Sequence, residues 1–135
     1  MTVLFLTHYT ELYGANKSLL TLLGNLKEYG IQPVLLSPDE GPVTREAQKV
    51  DAEVVIKRFY DDVHQPTLKS QLKSFYSQIY NRLSLHGFQK LCLEIKPDLI
   101  YTNSLVLHLG CHLSLKTGIP HLWHVRELGL SQYNL

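Results

Sequence analysis

Hydrophobic residues fall along this chain in two rhythms. Five short runs are unbroken: Val3 to Leu6, Val34 to Leu36, Val54 to Ile56, Leu99 to Tyr101 and Leu122 to Val125. A strand with one wet face alternates apolar and polar residues, so unbroken runs predict strands covered on both faces, as in a parallel sheet. Between them the spacing lengthens to that of a helix. Leu19, Leu20, Leu22, Leu23 and Leu26 form one apolar face, and Gly30 sits where a helix stop is expected. Asp39 to Pro42 is a turn cluster, and Val43 to Val50 predicts a short helix before the third strand. Leu68, Leu72, Phe75, Ile79 and Leu83 share a face of one long or two shorter helices between Pro66 and Ile95, with Gly87 as the point of interruption. Ser104 to Lys116 predicts a last helix, closed by Gly118 with Pro120 just beyond.

Strands alternating with helices make βαβ units, whose crossovers are right-handed. The predicted fold is α/β: a Rossmann-like, doubly wound three-layer sandwich on a parallel sheet of about five or more strands, in the order 3-2-1-4-5. With 135 residues, 44% of them hydrophobic, the chain supports one well-buried core and is too short for two ordinary domains. In such sheets ligands sit outside the carboxyl ends of the strands, where the strand order reverses. Strands one and four flank that point, so His8 to Ser18 and the pair Asn103 and Ser104 are candidates for chemistry. His124, Arg126 and Glu127 follow the fifth strand beside them.

Charge adds little to this picture. Thirteen Lys and Arg against twelve Asp and Glu leave a formal charge of +1, so no nucleic acid partner is expected and any anion site must be local. Cys92 and Cys111 both fall in helical patterning and read as small buried residues, which favours a cytoplasmic chain over a disulfide framework. The start, MTVLFLTHYTE, has no basic leader, and Thr7 and His8 interrupt its apolar run, so neither a secretory signal nor a spanning helix fits.

Within the first turn, Gly14 precedes a helix whose free amides could face a phosphate or carboxylate. Alternatively it merely opens a tightly packed helix. Lys17 and Ser18 hint at a phosphate-binding loop, but Glu11 and Asn16 stand where its glycines are needed. The dinucleotide fingerprint fails as well, with Asp39 as weak compensation. Asn103 and Ser104 are good helix caps by residue type and become functional candidates only through their place at the crevice. His124 can donate to a developing charge or exchange a proton near neutral pH; Arg126 offers a fork for an anion, and Glu127 can orient either. His108 and His112 lie one turn apart beside Cys111, but no third ligand at recognisable spacing accompanies them, and no metal is expected. From Pro66 to Lys96, Lys69, Lys73, Arg82, Lys90 and Lys96 stand against Glu94 alone, with Phe75, Tyr76 and Tyr80 interleaved. Core packing with a solvated basic face accounts for this pattern; peripheral contact with an anionic membrane is the side reading.

Two blocks then carry a family resemblance. The opening VLFLTHYTELYGANKSLLTLLGNLKEYGIQPVLLSPDEGPV and the later KPDLIYTNS and GIPHLWHVREL resemble the amino-terminal domain of group 1 (family 4) glycosyltransferases of the GT-B fold. One departure is Tyr13, where such enzymes often carry the first of two adjacent glycines. The resemblance implies retaining transfer of a sugar from a nucleotide-sugar donor to an acceptor in polysaccharide, glycolipid or cell-envelope synthesis. By that resemblance Gly14, with Ala15, would border the diphosphate and acceptor, and Asn103 and Ser104 would line the crevice. His124 would be the catalytic-site residue approaching the donor sugar, with Arg126 and Glu127 shaping its surroundings. No cofactor is implied beyond the donor itself, which the family's carboxy-terminal domain mainly binds. That domain is absent from these residues, so the expectation is an acceptor-side domain, inactive alone, cytoplasmic or peripheral at the inner membrane face. Its implied partners are an acceptor glycan or lipid-linked acceptor and the missing domain.

The rival reading is a free-standing flavodoxin-like binding or regulatory module. A phosphorylation receiver would need an aspartate at the third-strand exit, an acidic cluster after the first strand and a lysine after the fifth. Here Asp61 and Asp62 come late, the first loop offers only Glu11, and His124 holds the fifth position.

Overall fold

The computed structural model describes residues 1–61 and 68–125, with the side chains of 68–70, 73 and 74 left aside. Five strands form one all-parallel sheet in the order β3-β2-β1-β4-β5, namely β1 (Thr2–Leu6), β2 (Gln32–Ser37), β3 (Glu53–Ile56), β4 (Leu99–Thr102) and β5 (His121–Trp123). All five predicted runs became strands, and the predicted order holds. Register follows from the central strand, where Leu4 lies between Val34 and Ile100, and Phe5 between Leu35 and Tyr101.

Helices α1 (Gly14–Leu26) and α2 (Pro42–Lys49) cover one face; α3 (Leu68–Ile95) and α4 (Leu109–Thr117) cover the other. Successive side chains of a strand point to opposite faces, so β1 feeds both cores. Val3 and Phe5 pack with Leu19, Leu23, Val43 and Ala47. Leu4 and Leu6 pack with Phe88, Cys92, Leu107 and Leu113. The expectation of full cover on both faces holds for β1 and β2 and fails at the edges, where Ile56, Leu122 and Val125 are exposed. The fifth strand is also displaced: it ends at Trp123, and His124 and Val125 lie beyond it.

Gly30 and Gly118 end their helical segments in the left-handed conformation, at φ of 69° and 74°, which is why glycine stops both runs. Two expected elements differ. The segment predicted as one or two helices is a single helix that passes through Gly87 without interruption; Pro66 and Thr67 lie outside the described residues. The last helix begins at Leu109 rather than Ser104. Residues 103–108 form an irregular turn instead, because Val106 and Leu107 are neighbours in sequence and both are buried under the sheet end. Ser104 therefore caps no helix.

Asp98 sits at the opposite end of the sheet from the crevice, with Oδ2 accepting from the Thr2 amide at 2.7 Å. Among the described residues no helix is long and apolar enough to cross a membrane.

Candidate functional site

At the carboxyl end of the sheet, the loop after β1 is pinned from inside. Asn16, fully buried in the first turn of α1, accepts a hydrogen bond from the Thr7 hydroxyl at 2.7 Å. Its amide nitrogen donates to the carbonyls of Tyr9 and Glu11 at 2.9 and 2.8 Å. One short side chain thus satisfies the turn that a glycine-rich loop would make by backbone alone. Asn16 counted against a phosphate loop in the sequence; in the structure it is what shapes this one. A second clamp comes from α2, where the Val43 amide donates to the Thr10 carbonyl at 2.9 Å. A Cβ on Gly41 would come within 2.8 Å of Thr10 Oγ1 and closer still to its Cβ, so the two loops meet only because position 41 is glycine.

Gly14 opens α1 with its own surroundings empty: a Cβ there would touch nothing within 4 Å. Gly14 thus starts a helix that is packed farther along, at Asn16, Leu19 and Leu23, while close approach at position 14 itself does not demand a glycine. Tyr13, the N-cap residue, makes no side-chain cap, is exposed, and leans against Tyr9 at 5.8 Å between ring centroids. Lys17 and Ser18 are exposed. Asp39 pairs with Arg58 at 2.8 Å and takes no part in the crevice.

Asn103 crosses the switch point. Its side-chain amide donates to the Ala15 carbonyl at 3.3 Å, joining the β4 exit to the start of α1, and its backbone amide donates to Leu6 at 3.1 Å. Ser104 is buried; its hydroxyl accepts from the Val106 amide at 3.4 Å, and its carbonyl accepts from the Trp123 indole at 2.6 Å. The structure therefore brings Gly14, Ala15, Asn103 and Ser104 together. His124 joins from the next strand exit, with its backbone amide on the Thr102 carbonyl at 2.8 Å and its Nδ1 hydrogen-bonded to the Tyr101 hydroxyl. If the hydroxyl donates, the ring proton sits on Nε2; if Nδ1 donates, Nε2 is the base. Arg126 and Glu127 lie outside the described residues.

Several residues that build this end read only as strand or helix in the sequence. Tyr101 is buried, stacked at 4.9 Å on Phe5, and orients His124. On the opposite face, His121 Nε2 and Thr102 Oγ1 are 2.9 Å apart, and burial lowers the His121 pKa. Gly110 lies directly above them: a Cβ there would fall 2.9 Å from His121 Nε2 and closer to Thr102 Oγ1. His108 packs edge-on against Trp123 at 5.4 Å, His112 is exposed, and among the described residues no three metal-ligating side chains cluster.

The sequence matches no protein-family model and no curated protein. Solved structures do match. The Anabaena protein HepE, determined in complex with UDP, superposes with a TM-score of 0.64 at 22% identity, over 98% of this chain and 32% of that one. What the two share is the fold, an all-parallel 3-2-1-4-5 sheet between two layers of helices. MurG from Acinetobacter baumannii agrees, with a TM-score of 0.59 at 15% identity over 92% of this chain and 34% of that one. The chain thus spans about a third of the glycosyltransferases it resembles. The same fold occurs in the C-terminal domain of a hydrogenase from Pyrococcus furiosus, with a TM-score of 0.60, 12% identity and coverage of 92% and 90%. Fold alone therefore leaves the chemistry to the site.

Proposed function

We propose that this chain is the acceptor-side domain of a retaining glycosyltransferase that moves a sugar from a nucleotide-sugar donor to a glycan or lipid-linked acceptor. The observation that carries the reading is the Asn103 bridge to Ala15, which gathers the exits of β1 and β4 into one wall with His124 beside it. Gly14 supports it. Among the described residues nothing lies within 4 Å of a Cβ placed there, so the open space above the helix start leaves room for a ligand to approach the backbone amides.

In this reading the wall contributes position and hydrogen bonding. Charge that develops on the leaving diphosphate is met by fixed donors in a closed cleft, where they act more strongly than in water. The α1 amides and His124 are the donors on this side, and Tyr101 sets the His124 ring. A second domain holds the donor sugar nucleotide, so these residues alone do not turn over. Polysaccharide or cell-envelope synthesis, in the cytoplasm or at its membrane face, is the setting this chemistry fits.

Calorimetry with nucleotide sugars tests the division of labour. The expected result is association no tighter than about millimolar, some −4 kcal/mol; a micromolar Kd for these residues alone would overturn it. In a protein carrying both domains, His124→Ala should lower sugar transfer by roughly 10²-fold with the fold intact, and an unchanged rate would remove His124 from the site. The likeness to a hydrogenase domain of similar length favours one second reading, a self-contained flavodoxin-like binding module. Tight binding of a nucleotide to the chain alone would select it.

A further inference from the structure

Helix α3 is much longer than the sheet it covers. Its 28 residues span about 42 Å, whereas strands of three to six residues reach only about 10 to 20 Å. Its second half buries Phe88 and Cys92 against the sheet. The first half, which starts from the carboxyl end of the strands, runs past them. There the expectation that Leu72, Phe75, Ile79 and Leu83 pack in the core is corrected: they share a face, and that face looks outward. The inner side of the same stretch is organised around Tyr60.

Tyr60 follows β3 and is tied to α3 by its backbone. The Asn81 side chain donates to the Tyr60 carbonyl at 2.8 Å and accepts from the Tyr60 amide at 3.0 Å. The Tyr60 ring meets Tyr80 at 5.1 Å and 81° and Tyr76 at 6.1 Å and 65°, edge to face in both cases. Tyr76 and Tyr80, one helical turn apart, lie 6.4 Å from each other at 33°. This packing leaves Tyr60 and Tyr80 half-buried, whereas Tyr76 is 59% exposed. Beside the rings Arg58 pairs with Asp39 from the β2 exit at 2.8 Å, and the Tyr60 side chain and the Asp39 carboxylate hold the guanidinium pKa above its ordinary value. Each ring is set by its neighbours, so a ligand arriving on Tyr76 meets a surface with little side-chain freedom left to lose.

The tyrosines stand at the same end of the sheet as the Asn103 and His124 wall, but apart from it. In the order β3-β2-β1-β4, three spacings of about 4.8 Å put the β3 exit roughly 14 Å from the β4 exit, farther than one sugar ring reaches. A tyrosine combines an apolar ring with a polar tip. A pyranose has the matching parts, a face of C–H bonds and an edge of hydroxyls. The Arg58 and Asp39 pair carries no net charge and sets donors beside acceptors, which suits hydroxyls that do both and favours neither an anion nor a cation. We propose that Tyr76, backed by Tyr60 and Tyr80 and edged by Arg58 and Asp39, binds a pyranose of an uncharged oligosaccharide. The use of this subsite rests on the transferase reading: the acceptor is then a glycan of several sugars, held on the tyrosines at one place and at the Asn103 and His124 wall at another, rather than a single lipid-linked sugar.

NMR titration of the full chain with cellohexaose and with β-1,4-linked galactohexaose tests the platform without any donor. Saturable shifts of the Tyr60 and Tyr76 ring signals are expected with at least one of them, at a Kd of about millimolar. Affinity should hold from low to high salt, because the contact is uncharged. Tyr76→Ala should weaken binding roughly tenfold while circular dichroism and the thermal midpoint stay unchanged, since the side chain is exposed. Tyr76→Phe keeps the ring face and should retain most of the affinity. The absence of ring shifts with both hexasaccharides overturns the proposal, as do shifts that Tyr76→Ala leaves unaltered or binding that high salt abolishes. The titration involves no transfer, so its failure refutes the platform alone, whereas an unchanged rate in the His124→Ala test bears on the transferase reading alone.

Discussion

Replacing Gly110 with alanine sets two known effects against each other. In an exposed helix the change gains up to about 1 kcal/mol, because alanine loses less entropy than glycine on becoming helical. Here the added methyl lands 2.9 Å from His121 Nε2 and nearer still to Thr102 Oγ1, both held by the sheet beneath α4. Forcing α4 outward costs about 1–3 kcal/mol of overpacking, and separating Thr102 from His121 forfeits about 1 kcal/mol more. Overpacking wins, and the net loss is about 1–3 kcal/mol. For a domain of this size that lowers the thermal midpoint by about 4 to 10 °C. Thermal unfolding followed by circular dichroism measures it, with Gly14→Ala as the control in open space, expected within about 0.5 kcal/mol of the parent. Thr102→Ala combined with Gly110→Ala should recover part of the loss, giving a non-additive pair. A Gly110→Ala midpoint equal to or above the parent's would refute the claim that close approach, rather than helix propensity, dictates glycine there.

Asn16→Ala should cost about 2–4 kcal/mol in urea unfolding, because the Thr7 hydroxyl and two loop carbonyls lose their partner together; hydrogen exchange should accelerate over residues 7–13, and unaltered exchange there would mean that the loop holds without it. Stability should also fall with pH on the acid side of neutrality through His121. Its folded pKa is depressed by burial, so the unfolded chain binds the proton first and stability is lost as pH drops below the ordinary histidine value of about 6.5. His121→Gln should flatten that part of the curve, which pH-dependent melting can check.

Much of the fold was legible in the sequence. Runs such as Val34 to Leu36 carry apolar residues on both faces, as a strand covered on both sides requires. The edges were less legible, since Leu122 has the same composition as a central strand but no neighbour beyond it among the described residues. Helix α3 shows the limit most clearly. Periodicity reveals that Leu72, Phe75, Ile79 and Leu83 share a face, not which way the face looks, and that depends on how far the sheet extends beneath. At the site, Asn103, Ser104 and His124 could be placed because they directly follow strands. Tyr101 could not, because its link to His124 needs the register of β4 on β5, where Tyr101 lies opposite Leu122, two residues before His124. Asn16 was hidden for another reason: a buried asparagine stabilising a loop looks, in one dimension, like a missing glycine.

The contact of Tyr101 with both Phe5 and His124 has a consequence for anyone redesigning the domain. Phe5 lies in the central strand, and through Tyr101 it leans on the imidazole at the crevice, so the interior and the cleft are mechanically one piece. Stabilising libraries that freely vary core aromatics will therefore enrich well-folded variants with a displaced imidazole. Screening for thermal resistance alone would shift the His124 ring without a single substitution at the surface.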